Sequence, residues 1–157
     1  MPYQPDRIDF KILSELQASG RLTIVELARR ISLTKTPCSE RVRQLEKAGV
    51  IRGYHAELDP VILGAAHIAF VQIVLRSTTA KDLQRFNTAV KAIPEVLSCH
   101  MVAGNFDYLL KVHTRDINHY RDVLGNRISV LPGVLQTHSF VVMESVKDET
   151  SLPIPGL

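Results

Sequence analysis

Cysteine is scarce: Cys38 and Cys99 are the only two in 157 residues, and no Cys-x-x-Cys spacing joins them. That excludes a disulfide framework and leaves apolar packing to hold the fold. Long apolar runs are missing as well. The best of them, residues 67–75, is interrupted by Gln72 and followed by Arg76, far short of the roughly 20 residues a membrane-spanning helix needs. The first residues carry no basic and apolar leader, which predicts a cytoplasmic location and no membrane partner. Catalytic signatures are also lacking. There is no Gly-x-Ser-x-Gly, His-Glu-x-x-His or phosphate-loop glycine pattern, and His55, His67, His100, His113, His119 and His138 are scattered among apolar or strand-like surroundings. Neither an enzyme nor a metal site nor a tightly held cofactor is expected.

A large charge of one sign is absent too, since the net charge is only +3. Its distribution is uneven, however. Residues 21–52 hold eight basic side chains (Arg21, Arg29, Arg30, Lys35, Arg41, Arg43, Lys47, Arg52) against three acids (Glu26, Glu40, Glu46), a local +5. From Val61 onward nine basic residues face eight acids. A positive field confined to one segment is the footprint of a phosphate-binding surface, and equally of a solvated helix face. What is present in quantity is ordinary: 45% hydrophobic and 22% charged residues with mean hydropathy +0.05, the balance of a folded globular chain.

The pattern divides near Asp59-Pro60, which predicts a unit over residues 1–60 and another over 61–157. In the first, Asp6 or Asp9 supplies a helix start, Ile8, Ile12, Leu13 and Leu16 make an apolar stripe, and Gly20 ends it. Thr23 and Glu26 have capping-box spacing before a short helix striped by Ile24, Leu27, Ala28 and Ile31. Ser32 and Leu33 then break the pattern. A third helix starts at Thr34 or Thr36, keeps Pro37 in its first turn, turns Cys38, Val42 and Leu45 to the core, and ends at Gly49. Short helix, tight turn and second helix with a basic outer face are the parts of a helix-turn-helix; a plain three-helix domain with a charged surface is the competing reading. Alternation over Val50 to Leu58 predicts a strand pair, a β wing.

Beyond the joint the order is strand, helix, strand, strand, helix, strand. Strands are expected over residues 66–75, 96–102 and 108–114, and along Leu135, Thr137, Ser139, Val141 and Met143. The helices are striped by Leu83, Phe86, Val90 and Ile93, and by Ile117, Tyr120, Leu124, Ile128 and Leu131 up to Pro132-Gly133. The fold class is therefore α+β, an N-terminal winged helix-turn-helix plus a C-terminal ferredoxin-like βαββαβ domain. Val71, Ile73, Val112, Val141 and Met143 cannot all lie under two helices, which predicts a second copy covering the sheet, a dimer at least. Residues after Val146 carry no readable function.

Asp6-Arg7-Ile8-Asp9, Gly20-Arg21, Leu27-Ala28, Thr36-Pro37-Cys38, Arg41-Val42 and the run from Leu45 to Tyr54 resemble the N-terminal domain of the Lrp/AsnC feast-or-famine transcriptional regulators. Phe86 to Val90, Gly104 to Lys111, Leu131 to Val134 and Val141 to Glu144 resemble that family's amino-acid-sensing domain, and the likeness covers residues 6–147, nearest the leucine-responsive branch. The resemblance implies a transcriptional regulator controlling amino-acid metabolism genes. Its partners would be double-stranded DNA, further copies of itself (dimer, tetramer or octamer), and a small effector, an amino acid. In an octamer, eight such +5 segments would be displayed together.

Carried onto this chain, the effector region is Met101, Val102 and Ala103, the turn Gly104, Asn105, Asp107 and Tyr108, and the facing strand around Gln136, Thr137 and Ser139. Gly104 would allow close backbone approach to a carboxylate and Asp107 would answer an ammonium; alternatively Asn105 and Asp107 only stabilise a hairpin turn. On DNA, Thr36, Ser39, Glu40 and Arg43 are the base-edge candidates, and Lys35, Arg41, Gln44, Lys47 and Arg29 the phosphate contacts. Three departures stand out: Asn105 where Asp is frequent, Ser32 where glycine is frequent, and Thr34-Lys35 where Ser-Pro is common. Two other functions compete: a DNA-wrapping architectural protein with little effector control, and an amino-acid-binding regulator of an enzyme.

Overall fold

Asp6 starts the first helix by offering its carboxylate to the backbone. In the computed structural model, which describes residues 3–155, Asp6 Oδ1 accepts from the N–H groups of Ile8 (2.8 Å) and Asp9 (2.9 Å), and Asp9 Oδ2 accepts from the Asp6 N–H at 3.0 Å. Two otherwise orphan donors are met reciprocally, and α1 runs Arg7–Ala18. At α2, Ile24–Arg30, only half of the expected box forms. Thr23 Oγ1 accepts from the Glu26 N–H at 3.2 Å, but Glu26 Oε1 accepts from Arg30 at 3.0 Å instead of reaching back. A charge-assisted i,i+4 contact outcompetes a neutral backbone donor.

Helix α3, Lys35–Lys47, follows Thr34. The α2–α3 turn and the end of α3 use one device. Leu33 N–H bonds the Ala28 carbonyl and Ser32 N–H the Arg29 carbonyl; Val50 N–H bonds Leu45 and Gly49 N–H bonds Glu46. Both are Schellman motifs, which require a left-handed residue after the C-cap. Gly49 (φ 71°) fills that place freely, whereas Ser32 (φ 58°) fills it with a Cβ against the preference of L-residues. The departure at Ser32 thus leaves the turn's geometry intact and adds strain. Ile12, Leu27, Ala28, Ile31, Cys38, Val42 and Leu45 form the buried core.

The expected wing strands do not form: residues 50–58 contain no strand. Alternation favours extended backbone but supplies no turn residues for a hairpin, and Gly53 (φ 155°) breaks the run while every side chain from residue 52 to 64 stays exposed.

The second unit has strands β1 (His67–Leu75), β2 (Val96–Met101), β3 (Tyr108–Thr114) and β4 (Val134–Val141), with helices α4 (Ala80–Val90) and α5 (Ile117–Val123). The sheet order is β2-β3-β1-β4 with all neighbours antiparallel, the ferredoxin-like arrangement. Met143 lies beyond β4 and is fully exposed. The second helical stripe does not continue as one α-helix: α5 passes into a π-helical turn, Leu124–Ile128, whose wider turn puts Val123 and Ile128, five residues apart, both in the core, while Ile117 at the start of α5 is exposed.

Val71, Ile73 and Val112 do lie under the helices, at 0% exposure, together with Phe86, Leu110 and Ile128. The open face is the other one, carrying Phe70, Gln72, Leu109, Lys111, His138 and Phe140. Assigning sides required the register, because a one-residue change of phase exchanges the two faces. Among the described residues the compact units comprise 3–57 with 148–155, and 58–147, so the segment from Asp148 packs with the helical unit.

Candidate functional site

Cys38, Val42 and Leu45 point α3 inward, so the residues half a turn away must face water. Thr36, Glu40, Arg43 and Lys47 occupy that outer stripe, Ser39 and Gln44 flank it, and Lys35 opens it; all seven are exposed. Arg30 is spent on Glu15 (2.9 Å) and Glu26 (3.0 Å), whereas neither Arg43 nor Lys47 is paired with an acid among the described residues. Thr34 makes no side-chain capping bond, so the first turn of α3 keeps unsatisfied N–H groups at its positive end.

Arg41 does not share this exposure. It faces α1, where NH1 lies 2.8 Å from Asp6 Oδ2 and 2.8 Å from Asp9 Oδ1. Asp9 is 1% exposed and also accepts from the Tyr3 hydroxyl at 2.8 Å. The Asp9 N–H and the Arg41 guanidinium hold the Asp6 carboxyl below the usual aspartate range, and the two carboxylates raise Arg41. The expectation of a phosphate contact did not include this use of Arg41: its guanidinium ties α3 to α1. Spacing alone assigned it to the charged surface because the acids it meets lie 32 and 35 positions earlier in the chain.

In the second unit, pairing places Met101, Tyr108, Ile73 and Thr137 in one row across all four strands, on the face covered by the helices. Met101 and Thr137 are at opposite edges of the sheet, three strand spacings or about 14 Å apart. The effector candidates on β2 and on β4 thus do not converge within one chain. The turn is closed by Val102 N–H to the Asp107 carbonyl at 3.0 Å, leaving Ala103, Gly104 and Asn105 exposed.

Asp107 stitches this turn to β1. Its N–H donates to the Ile73 carbonyl at 2.8 Å, and its Oδ2 accepts from the Leu75 N–H at 2.7 Å, beside the irregularity between Val74 and Leu75. Asp107 therefore has the stabilising role weighed for it, while its second oxygen has no hydrogen-bond partner among the described residues. The Asn105 side chain makes no hydrogen bond among the described residues. Gly104 does not have a positive φ, and a Cβ there would meet nothing within 4 Å, so the turn itself does not demand glycine. On β4, Ser139 pairs its hydroxyl with Tyr120 beneath the helices, and Gln136 contacts His138 at 3.2 Å on the open face. Tyr108 is buried against Phe86, ring centroids 4.5 Å apart, and burial pushes its hydroxyl pKa up.

Comparison with known proteins resolves the family. Residues 68–152 match the model of the Lrp/AsnC ligand binding domain, and residues 5–52 match a winged helix-turn-helix DNA-binding model. The chain belongs to the Lrp/AsnC family. Its relatives include the proline dehydrogenase transcriptional activator of Rhizobium radiobacter, 52% identical over 91% of this chain and 92% of that protein. The leucine-responsive regulatory protein of Escherichia coli K12 is 48% identical over 95% and 91%. Among solved structures, a Neisseria meningitidis transcriptional regulator in complex with L-Met superposes with a TM-score of 0.91 at 37% identity, covering 97% of this chain and 98% of that one. The Lrp/AsnC protein is thus a DNA-binding transcriptional regulator with an effector-binding domain, and not an enzyme. No helix among the described residues is long and apolar enough to cross a membrane.

Sequence reasoning missed the mounting of α3 on Tyr3, Asp6 and Asp9. Asp6-x-x-Asp9 was legible as a helix start, but the second use of both carboxylates, as a seat for Arg41, needed the α1–α3 packing. It also missed the Leu75 N–H as the partner of Asp107, for which no local pattern gives a signal.

Proposed function

We propose that this regulator reads DNA with the outer face of α3 and changes its assembly or DNA affinity when an amino acid binds. The observation that carries the reading is the exposed stripe Thr36, Glu40, Arg43 and Lys47 opposite Cys38, Val42 and Leu45, set after a tight turn. A helix so presented fits the major groove. Thr36, Ser39, Glu40 and Arg43 meet base edges, with Arg43 suited to guanine O6 and N7. Lys35, Gln44 and Lys47, joined by Arg29, meet phosphates, helped by the uncapped positive end of α3. Arg41 is a positioning residue.

The effector region is the turn Gly104 to Tyr108 with Met101 to Ala103, completed by Gln136, Thr137 and Ser139 from a neighbouring copy, since one chain keeps these strands apart. An amino acid is supported by the spare Asp107 oxygen, apt for an ammonium, and by L-Met in the Neisseria relative. Self-assembly is supported by Phe70, Leu109 and Phe140 on the open sheet face. By analogy with relatives named for proline dehydrogenase activation and leucine response, its targets are genes of amino-acid metabolism.

The test is a pair of variants titrated on operator and random DNA across salt. Arg43→Ala is expected to cost about 1–3 kcal/mol on the operator and relax one base position, whereas Lys47→Ala weakens both DNAs alike and lowers the salt slope by about one. Equal losses for both variants on both DNAs would remove this division of roles. Screening single amino acids for a shift in DNA affinity or assembly size tests the effector reading, and indifference to all of them would favour the DNA-wrapping alternative.

A further inference from the structure

Leu152, beyond β4, presents both of its backbone polar groups to one side chain of the helical unit. Its N–H donates to Gln17 Oε1 at 2.8 Å and its carbonyl accepts from Gln17 Nε2 at 2.9 Å. A residue whose N–H and C=O are both met by a single partner is held as an antiparallel strand neighbour would hold it, so the register of the segment is set to one residue. Pro153 and Pro155 have no N–H to satisfy and favour extended backbone, which lets the segment lie on a surface without orphaned donors. Ile154 is half-buried. Between this segment and the helical body runs a groove of about 690 Å3, walled on one side by Phe10, Leu13 and Tyr54 and on the other by residues 150–155. Tyr54 is held as a neutral donor there, its pKa pushed up to about 12 by burial and by its bond to Glu46.

We infer that residues 148–155 are a strap, an extended proline-containing peptide that docks on the DNA-binding unit of its own chain through the Gln17 amide. The chain leaves the helical unit at Glu57 and returns to it at Asp148, so docking adds a second, non-covalent tether between the DNA-binding unit and the effector-binding unit. None of Thr36, Glu40, Arg43 or Lys47 lines the groove, so the docked strap leaves the reading face open. A unit tied twice samples fewer positions than a unit tied once. On the reading that α3 meets DNA, the strap therefore narrows the half-site spacings the assembly accepts, and its release widens them.

The first measurement is amide exchange on the full-length protein without DNA, so that its outcome is independent of the DNA reading. Leu152 is expected to exchange at least about tenfold more slowly than in a free peptide of residues 148–157, because its N–H is bonded to Gln17. Gln17→Ala should bring the segment to the peptide rate. Peptide-like exchange in the wild type would overturn the strap, and protection lost on dilution to single chains would move the docking to a second copy and overturn the tie within one chain. The second measurement is affinity for operators with varied half-site spacing. Gln17→Ala should keep the affinity for the best spacing and lose at least about threefold of the discrimination against the others. Unchanged discrimination with a freed strap would overturn the tether.

Discussion

The α3 face is complete within 13 residues of one helix, whereas the effector candidates run from Met101 to Ser139 and sit on opposite edges of a sheet. The contrast teaches where a site's precision comes from. On α3 the helical period itself aligns the outer side chains, and the tertiary structure has only to fasten the helix down, which Arg41 does. On the sheet the pleat supplies a row, but the row crosses four strands, and its ends meet only what another surface brings to them.

Breaking the fastening should produce the largest effect. Arg41→Ala leaves the Asp9 carboxylate buried without its cation, and is expected to cost about 3 kcal/mol of the helical unit's stability in urea unfolding while the sheet unit's transition stays in place. Acid acts on the same contact. Asp6 has a depressed pKa, so its contribution is complete above the ordinary value near 3.8 and lost as pH falls through the lowered one. The helical unit should accordingly weaken in that window, and Asp6→Asn should remove the effect.

Asp107 offers the corresponding break in the sheet unit. Asp107→Ala orphans the Leu75 N–H and is expected to cost about 1–3 kcal/mol in that unit alone. Asp107→Asn keeps an acceptor and should nearly preserve stability in a thermal melt while abolishing the shift produced by an amino acid. Loss of stability with an intact amino-acid response would assign Asp107 to the turn only.

Smaller changes sharpen the comparison within the helical unit itself. The two Schellman turns differ in their left-handed residue, so Ser32→Gly should stabilise by about 1 kcal/mol and Gly49→Ala destabilise by a similar amount, measured by denaturant midpoint. A Cβ at Gly49 meets nothing, which makes that cost conformational and not steric. The smallest effect is expected at Gly104, where a Cβ also meets open space. Gly104→Ala should change stability by less than about 0.5 kcal/mol, yet weaken amino-acid binding if ligand backbone approaches there.

Periodicity was enough to locate α1 to α3, the βαββαβ order and the outer stripe of α3, because those signals repeat within a few residues. The wing was overread: alternating residues 50–58 describe extended chain, and pairing needs a turn and a partner that alternation does not encode. Of Val71, Ile73, Val112, Val141 and Met143, which cannot all lie under two helices, the first three do; alternation distinguishes two faces without saying which one helices cover. The phase of α5 was lost at the π-helical turn, since an extra residue in one turn leaves no mark in composition.

With two cysteines, both free, this chain is held by apolar packing. The sequence by itself located a helix start at Asp6 or Asp9, the cap at Thr23, the basic excess over residues 21–52 and the outer stripe of α3, all local in the chain. Only the tertiary structure decided that Arg41 clamps Asp6 and Asp9, that Asp107 satisfies Leu75, and that Leu152 returns to Gln17. Each joins residues 32 to 135 positions apart, and such contacts depend on how elements pack and not on any period within them.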